Sequence, residues 1–144
     1  MRLSKKDFKM ENGCLVYSDE VDVQGDLIIE EDLGLVFFQK LVKASGNIIA
    51  RTGSNIKAGG SIEAGEGIEA GWSIEAGGSI EAGGSIKAGG SIKAGWGIIS
   101  FYGPISAKQI SCLRLAAGFN SKIEQEINAK TIKGKVLLGK VKSK

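Results

Sequence analysis

From Ser61 the chain alternates apolar and polar positions inside a six-residue unit: SIEAGE, GIEAGW, SIEAGG, SIEAGG, SIKAGG, SIKAGW, GIIS. Isoleucine recurs at Ile56, Ile62, Ile68, Ile74, Ile80, Ile86, Ile92 and Ile98. Alanine follows two residues later, from Ala58 to Ala94, and the residue between is charged until Ile99 breaks the series. Alternate side chains of a strand point to opposite faces. Ile and Ala therefore face inward, while Ser and Glu or Lys face outward. A helix is excluded, because glycine would recur almost every turn at about 1 kcal/mol each against alanine. The glycine pairs are expected at corners, where tolerance of positive φ lets the chain turn.

A short strand with one large and one small inward side chain has no core of its own. Stacking supplies one, if each strand pairs in parallel with its equivalent one coil on, about 4.8 Å away. The outward charges favour three sides per coil. Eighteen-residue coils place Lys57 over Glu75 over Lys93 and Glu69 over Lys87, leaving Glu63 and Glu81 as the like pair. Two-sided coils would add a second clash, Glu63–Glu75 with Glu69–Glu81. Opposite charges across a ladder stabilise modestly and like charges oppose. The fold class is therefore all-β: a single-domain parallel β-helix, or solenoid.

Weaker copies of the unit flank the clean centre. Val21-Asp22-Val23 and Gly25 to Ile29 look like degenerate coils, and Ile105-Ser106-Ala107 and Ile127-Asn128-Ala129 keep the signature. Residues 1–20 are expected to form an N-terminal cap and 21–110 the solenoid, with 54–98 its regular core. Residues 111–144 are expected to form degenerate coils or a cap with a lysine-rich tail. Eight such coils would make a rod roughly 40 Å long. Ile110 to Leu115 reads as one strand. Phe119 to Glu126 is expected to be a short helical cap, with Asn120 or Ser121 as N-cap.

Composition narrows the chemistry. The 144 residues fit one domain. There is no histidine, which removes the commonest general base, the usual zinc ligand and Ser–His or Cys–His nucleophiles. Cys14 and Cys112 are too few and too far apart for a disulfide scaffold or a structural zinc site, and read as ordinary thiols in a reducing compartment. No metal or cofactor is expected. The first ten residues lack the apolar segment of a signal peptide, and no apolar run reaches the ~20 residues that cross a bilayer. The expected setting is the cytoplasm.

Binding candidates follow from charge and aromatics. Glu11, Asp19, Glu20, Asp22, Asp26, Glu30, Glu31 and Asp32 occur with no base among them, whereas Lys130, Lys133, Lys135, Lys140, Lys142 and Lys144 close the chain with no acid. Such ends solubilise the molecule, attract one another in assembly, or, at the basic end, contact nucleic-acid phosphates. The basic run has no interleaved aromatics for base stacking. Trp72 and Trp96 replace corner glycines and are candidate interface anchors. Three-sided coils put them on different corners. Phe37 and Phe38, with Phe101 and Tyr102, exceed what a narrow solenoid needs, and are read as core packing or as a dimer interface.

The unit Gly-Ser-Ile-Lys-Ala, with Gly25-Asp26-Leu27-Ile28-Ile29-Glu30 upstream, resembles bactofilins across most of residues 21–110. That resemblance implies a three-sided β-helix and nucleotide-free, end-to-end filaments. The chain is also similar to the hexapeptide-repeat acyltransferases. Glu66, Trp72 and Trp96 stand where that family has a small residue two positions before its aliphatic one, and its histidine and interrupting loop are missing. RTX calcium repeats would need a recurring aspartate, and ice-binding solenoids flat threonine arrays. The run SIEAGGSIEAGG with intercalated Trp resembles uncharacterised repeat proteins of phages and mobile elements. That likeness implies a small inhibitor of a host defence system, such as an anti-CRISPR protein. The expected function is a non-enzymatic protein-binding module, inhibitor or scaffold, acting as a homo-oligomer on a protein partner. The alternatives are a self-assembling structural polymer and, more remotely, a nucleic-acid-contacting protein.

Overall fold

A computed structural model describes residues 1–143; Lys144 lies outside the described residues. The chain is a parallel β-solenoid of about six turns. Each turn has three short strands, so three ladders run along the stack. The first face joins Arg2–Leu3, Leu27–Ile29, Ile48–Ala50, Ile68–Ala70, Ile86–Ala88, Ile105–Ser106, Glu126–Asn128 and Lys140–Lys142. The second joins Cys14–Tyr17, Gly34–Phe38, Ser54–Ala58, Ile74–Ala76 and Ser91–Ala94. The third joins Val21–Val23, Val42–Ala44, Ile62–Ala64, Ile80–Ala82 and Gly97–Ser100. Gln109–Ala117 then bends round a corner. Its first residues pair with Ser91–Ala94 on the second face and its last with Gly97–Ser100 on the third. Thr131–Leu138 follows it round the same corner, with two irregularities in register.

The hexads stack as the charges indicated. Ile56 pairs with Ile74 and Ile74 with Ile92, Ile62 with Ile80, and Ile68 with Ile86. Residues 18 apart therefore lie one over the next. Every isoleucine of this series is buried at 0–1% exposure. Burying a side chain of that size contributes about 1.5–3 kcal/mol, so the ladder is the main source of stability. The small partner column, Ala58 to Ala94, keeps the coil narrow. At Ser100 that column carries a hydroxyl. It donates to the Gly103 carbonyl at 2.5 Å and accepts the Gly118 N–H at 3.2 Å, anchoring the loop that leaves the coil there.

Outside the centre the coils lengthen. Val42 pairs with Ile62 and Val21 with Val42, so spacings grow to 20 and 21 residues. Longer turns, and residues 1–12 lying across the N-terminal end, leave about six coils rather than eight, a stack of roughly 30 Å. At that end Lys9–Glu11 runs antiparallel to Cys14–Tyr17. Phe8 is buried there and meets Tyr17 and Phe38 edge-on, with centroids 5.9 and 6.0 Å away, while Tyr17 and Phe38 are tilted against each other at 5.8 Å.

Two sequence expectations are corrected. Residues 119–125 form turns, not a helix. The Gln125 side chain bonds the Ser121 hydroxyl at 3.1 Å and the Ile123 carbonyl at 3.2 Å. The hexad glycines do not have positive φ; that conformation is confined to the irregular coils, at Gly25, Gly53 and Gly118 among others. The first glycine of each pair is needed for closeness instead. A Cβ at Gly83 would lie 2.0 Å from the Gly65 carbonyl oxygen, and one at Gly77 2.3 Å from that of Gly59. The second position is roomier. A Cβ at Gly84 meets nothing nearer than 3.5 Å, and one at Gly60 or Gly90 meets backbone at 3.0 Å; Glu66, Trp72 and Trp96 occupy this second position.

Candidate functional surfaces

The interior is hydrophobic and closed. Among the described residues no buried side-chain nitrogen or oxygen lacks a hydrogen-bond partner, and no three His, Cys, Asp or Glu side chains group as metal ligands. No helix among the described residues is long and apolar enough to cross a membrane. Cys112 is buried against the stack, and burial pushes its thiol above the ordinary range. Cys14 is partly exposed and both cysteines are free. The candidate residues lie on the outer surface and at the two ends.

The two tryptophans occupy different corners. Trp72, between the first and second faces, is 59% exposed, and its carbonyl accepts the Gly90 N–H of the next coil at 2.6 Å. Trp96, between the second and third, is 67% exposed, and its backbone N–H donates to the Gly78 carbonyl at 3.3 Å. Beside the Trp72 corner is a hollow of about 520 Å³, walled by Glu31, Asp32, Arg51, Thr52, Glu69 and Gly71. Arg51 pairs with Glu31 at 3.5 Å. Asp32 has φ 59°, a left-handed conformation uncommon outside glycine, at the start of the longer turn that shapes this hollow.

The aromatic candidates separate. Phe38, read either as core packing or as an interface residue, is core: it is 0% exposed and sits between Tyr17 and Phe8. Its place above Ala58 in the inward column dictates this. Phe37 faces outward on the second face, with Lys57 Nζ 6.0 Å from its ring. Phe101 and Tyr102 leave the third face further along the stack, so the two pairs do not share a surface. Phe101 packs edge-on against Phe119 at 6.1 Å, and Tyr102 is exposed.

The charged candidates mark two zones. Asp19, Glu20, Asp22, Asp26, Glu30, Glu31 and Asp32 lie in the turn that contains Val21–Val23 and Leu27–Ile29. Asp26 accepts the Asn47 backbone N–H at 2.7 Å, and the Asn47 amide also bonds Glu66 at 2.7 Å, binding three coils together. Arg2, Lys5, Lys6 and Lys9 lie beyond that belt, so the N-terminal end itself is mixed in charge. At the other end Lys130, Lys133, Lys135, Lys140 and Lys142 occupy the last turn. Lys142 pairs with Glu126, and this bond holds the Glu126 carboxyl below its ordinary value. Within the hexads Lys57–Glu75 forms an ion pair at 3.6 Å.

One surface was not anticipated. A groove of about 590 Å³ opens on the C-terminal part of the third face, lined by Trp96, Leu113, Arg114, Phe119, Leu137 and Leu138. Its floor is the outward column, which reads Asp22, Lys43, Glu63, Glu81, then Ile99, Ala116 and Leu138. The signal in the sequence was Ile99, standing where every earlier hexad has a charge.

Comparison with protein-family models, curated proteins and solved structures returned no match.

Proposed function

We propose that the chain is a non-enzymatic binding module that presents the Trp72 corner to a basic segment of a protein partner. The observation that carries this reading is the exposed Trp72 on the corner whose preceding residue, Gly71, lines a hollow with Glu31, Asp32 and Glu69. A Trp side chain on the corner that borders a carboxylate-lined hollow suits a basic segment, one Arg or Lys reaching the ring and another the carboxylates. Trp is also the residue type most often found as an interface anchor. The scaffold adds preorganisation, since Trp72 rises from a corner whose backbone is bonded to the coils on either side, which lowers the ordering cost of binding. A small rigid rod that covers a partner's basic surface works as an inhibitor or scaffold. Phage anti-defence activity is the inhibitory form that the sequence resemblance implies.

The test is fluorescence titration of a Trp96→Phe chain, in which Trp72 is the one tryptophan, with an Arg- and Lys-rich peptide. A saturable change that disappears in Asp32→Lys/Glu69→Lys is expected. A response unaltered by the charge reversal, or none, removes the Trp72 corner from the function.

A bactofilin-like polymer is the second reading. The free edge of Thr131–Leu138 favours it, because unpaired strand edges invite further strands. Lys133 and Lys135 on that edge, and Phe8 with the antiparallel Lys9–Glu11 strand at the other end, weigh against it. The lysines also keep nucleic-acid contact as a remote third reading.

A further inference from the structure

We propose that the groove on the third face is a homodimer interface, in which two copies pack side by side and antiparallel. The third face changes character at Ile99. On its C-terminal side lie the apolar groove residues Trp96, Phe119, Leu137 and Leu138, with Arg114 as the one charged side chain of the lining. On its N-terminal side lie Glu63 and Glu81, stacked directly one over the other on a shelf of about 300 Å³ that also includes Lys43 and Phe101. The two hollows adjoin on one face and have complementary chemistry.

A dimer formed by a two-fold axis must match a surface with itself. With the axis lying along the Gly97–Ser100 strand, Ile99 meets the second copy's Ile99. Glu81 is one coil before Ile99, and Ala116 and Arg114 are one coil after, on the strand paired with Gly97–Ser100. The axis therefore brings Glu81 of each copy to the level of Arg114 of the other. Glu63 lies two coils before, and Lys135, which pairs with Arg114, two coils after. The same operation sets Glu63 level with Lys135 of the other copy.

Three features fit this occupant. The like pair Glu63–Glu81 is unfavourable within one chain; Lys43 lies across from Glu63, whereas Glu81 faces Glu63 and Ile99, and a second copy supplies its counter-charge. Exposed apolar side chains gathered in one patch mark an interaction site, whereas scattered ones do not. A centre of Trp and Phe with a polar rim is the ordinary composition of an interface. The end-on alternative would set the lysines of two last turns against each other. Trp72 stays free in the side-by-side dimer, on a corner that does not border the third face, so the pair would display two such corners.

Light scattering behind size-exclusion chromatography, on full-length chains carrying single and paired charge reversals, tests the interface. The wild-type chain is expected to run as a dimer. Glu81→Arg and Arg114→Glu are each expected to shift it toward monomer by tenfold or more in dissociation constant, and the double reversal to restore the dimer. Trp96→Ala, at a position where other hexads carry glycine, is expected to weaken the dimer while leaving the circular dichroism unchanged. A monomeric wild type at millimolar chain overturns the proposal. So does a dimer indifferent to Trp96→Ala and to both reversals. Trp72→Ala is expected to leave the mass unchanged, which separates this interface from the partner-binding corner.

Discussion

At the scale of single residues the fold depends on distances between successive coils more than on backbone freedom. The carbonyl of Gly65 occupies the space a Cβ at Gly83 would need, whereas Gly84 faces only ordinary contacts. Gly83→Ala is therefore expected to lower the unfolding free energy by about 1–3 kcal/mol, the usual cost of overpacking. Gly84→Ala is expected to stay within about 0.5 kcal/mol, as surface substitutions do. Urea denaturation of the two variants checks this, and equal stabilities would refute the close-approach explanation. The same distinction shows what was legible residue by residue. Ile and Ala could be assigned inward because their period is unbroken. Phe38 could not, because Asp32 and Gly34, both at positive φ, belong to a longer turn that shifts its register from 18 to 20 residues ahead of Ala58.

At the scale of elements the centre and the ends differ in how they are held. Central strands have a neighbour on both sides. Lys140–Lys142 pairs with Glu126–Asn128 alone, helped by the Glu126–Lys142 ion pair. Because that pair depresses the Glu126 carboxyl in the folded chain, its contribution is present above the ordinary glutamate value and is lost as pH falls through the depressed one. Amide exchange at residues 140–142, corrected for intrinsic pH dependence, is expected to quicken on acidification before the central strands respond. In Glu126→Gln it is expected to be fast throughout, and a pH-independent wild type would show that the ion pair does not hold the strand. Val21–Val23 and Leu27–Ile29 could be read as degenerate coils from their spaced apolar residues, and Glu126–Asn128 from the signature Ile127-Asn128-Ala129. The turns at 119–125 could not, because the side-chain bonds of Gln125 to Ser121 and Ile123 replace the helix that their polarity suggested. The bent strand Gln109–Ala117 was read as one strand, but not that it serves two faces.

At the scale of the whole molecule, coil length decides which surfaces exist. The separation of Trp72 and Trp96 onto different corners follows from three sides and was legible. The groove was not, because Trp96, Leu113 and Leu138 meet only after coils of unequal length have been laid over one another. The acidic belt was visible as a run of residues. Its proximity to Trp72 required the stacking of Glu31 and Asp32 near Arg51, Thr52 and Glu69. The acidic corner and the apolar groove on the C-terminal part of the third face are what the proposed partner binding and the proposed closed pair rest on. An endless filament would instead need two open, matching ends, and Phe8 with the antiparallel strand covers one of them.

The most direct measurement is the mass of the wild-type protein in solution, followed by light scattering over a wide range of chain concentration. A closed, side-by-side binding module predicts a plateau at twice the 15.1 kDa chain mass. Mass that keeps growing with concentration would contradict it and establish an open-ended polymer in its place.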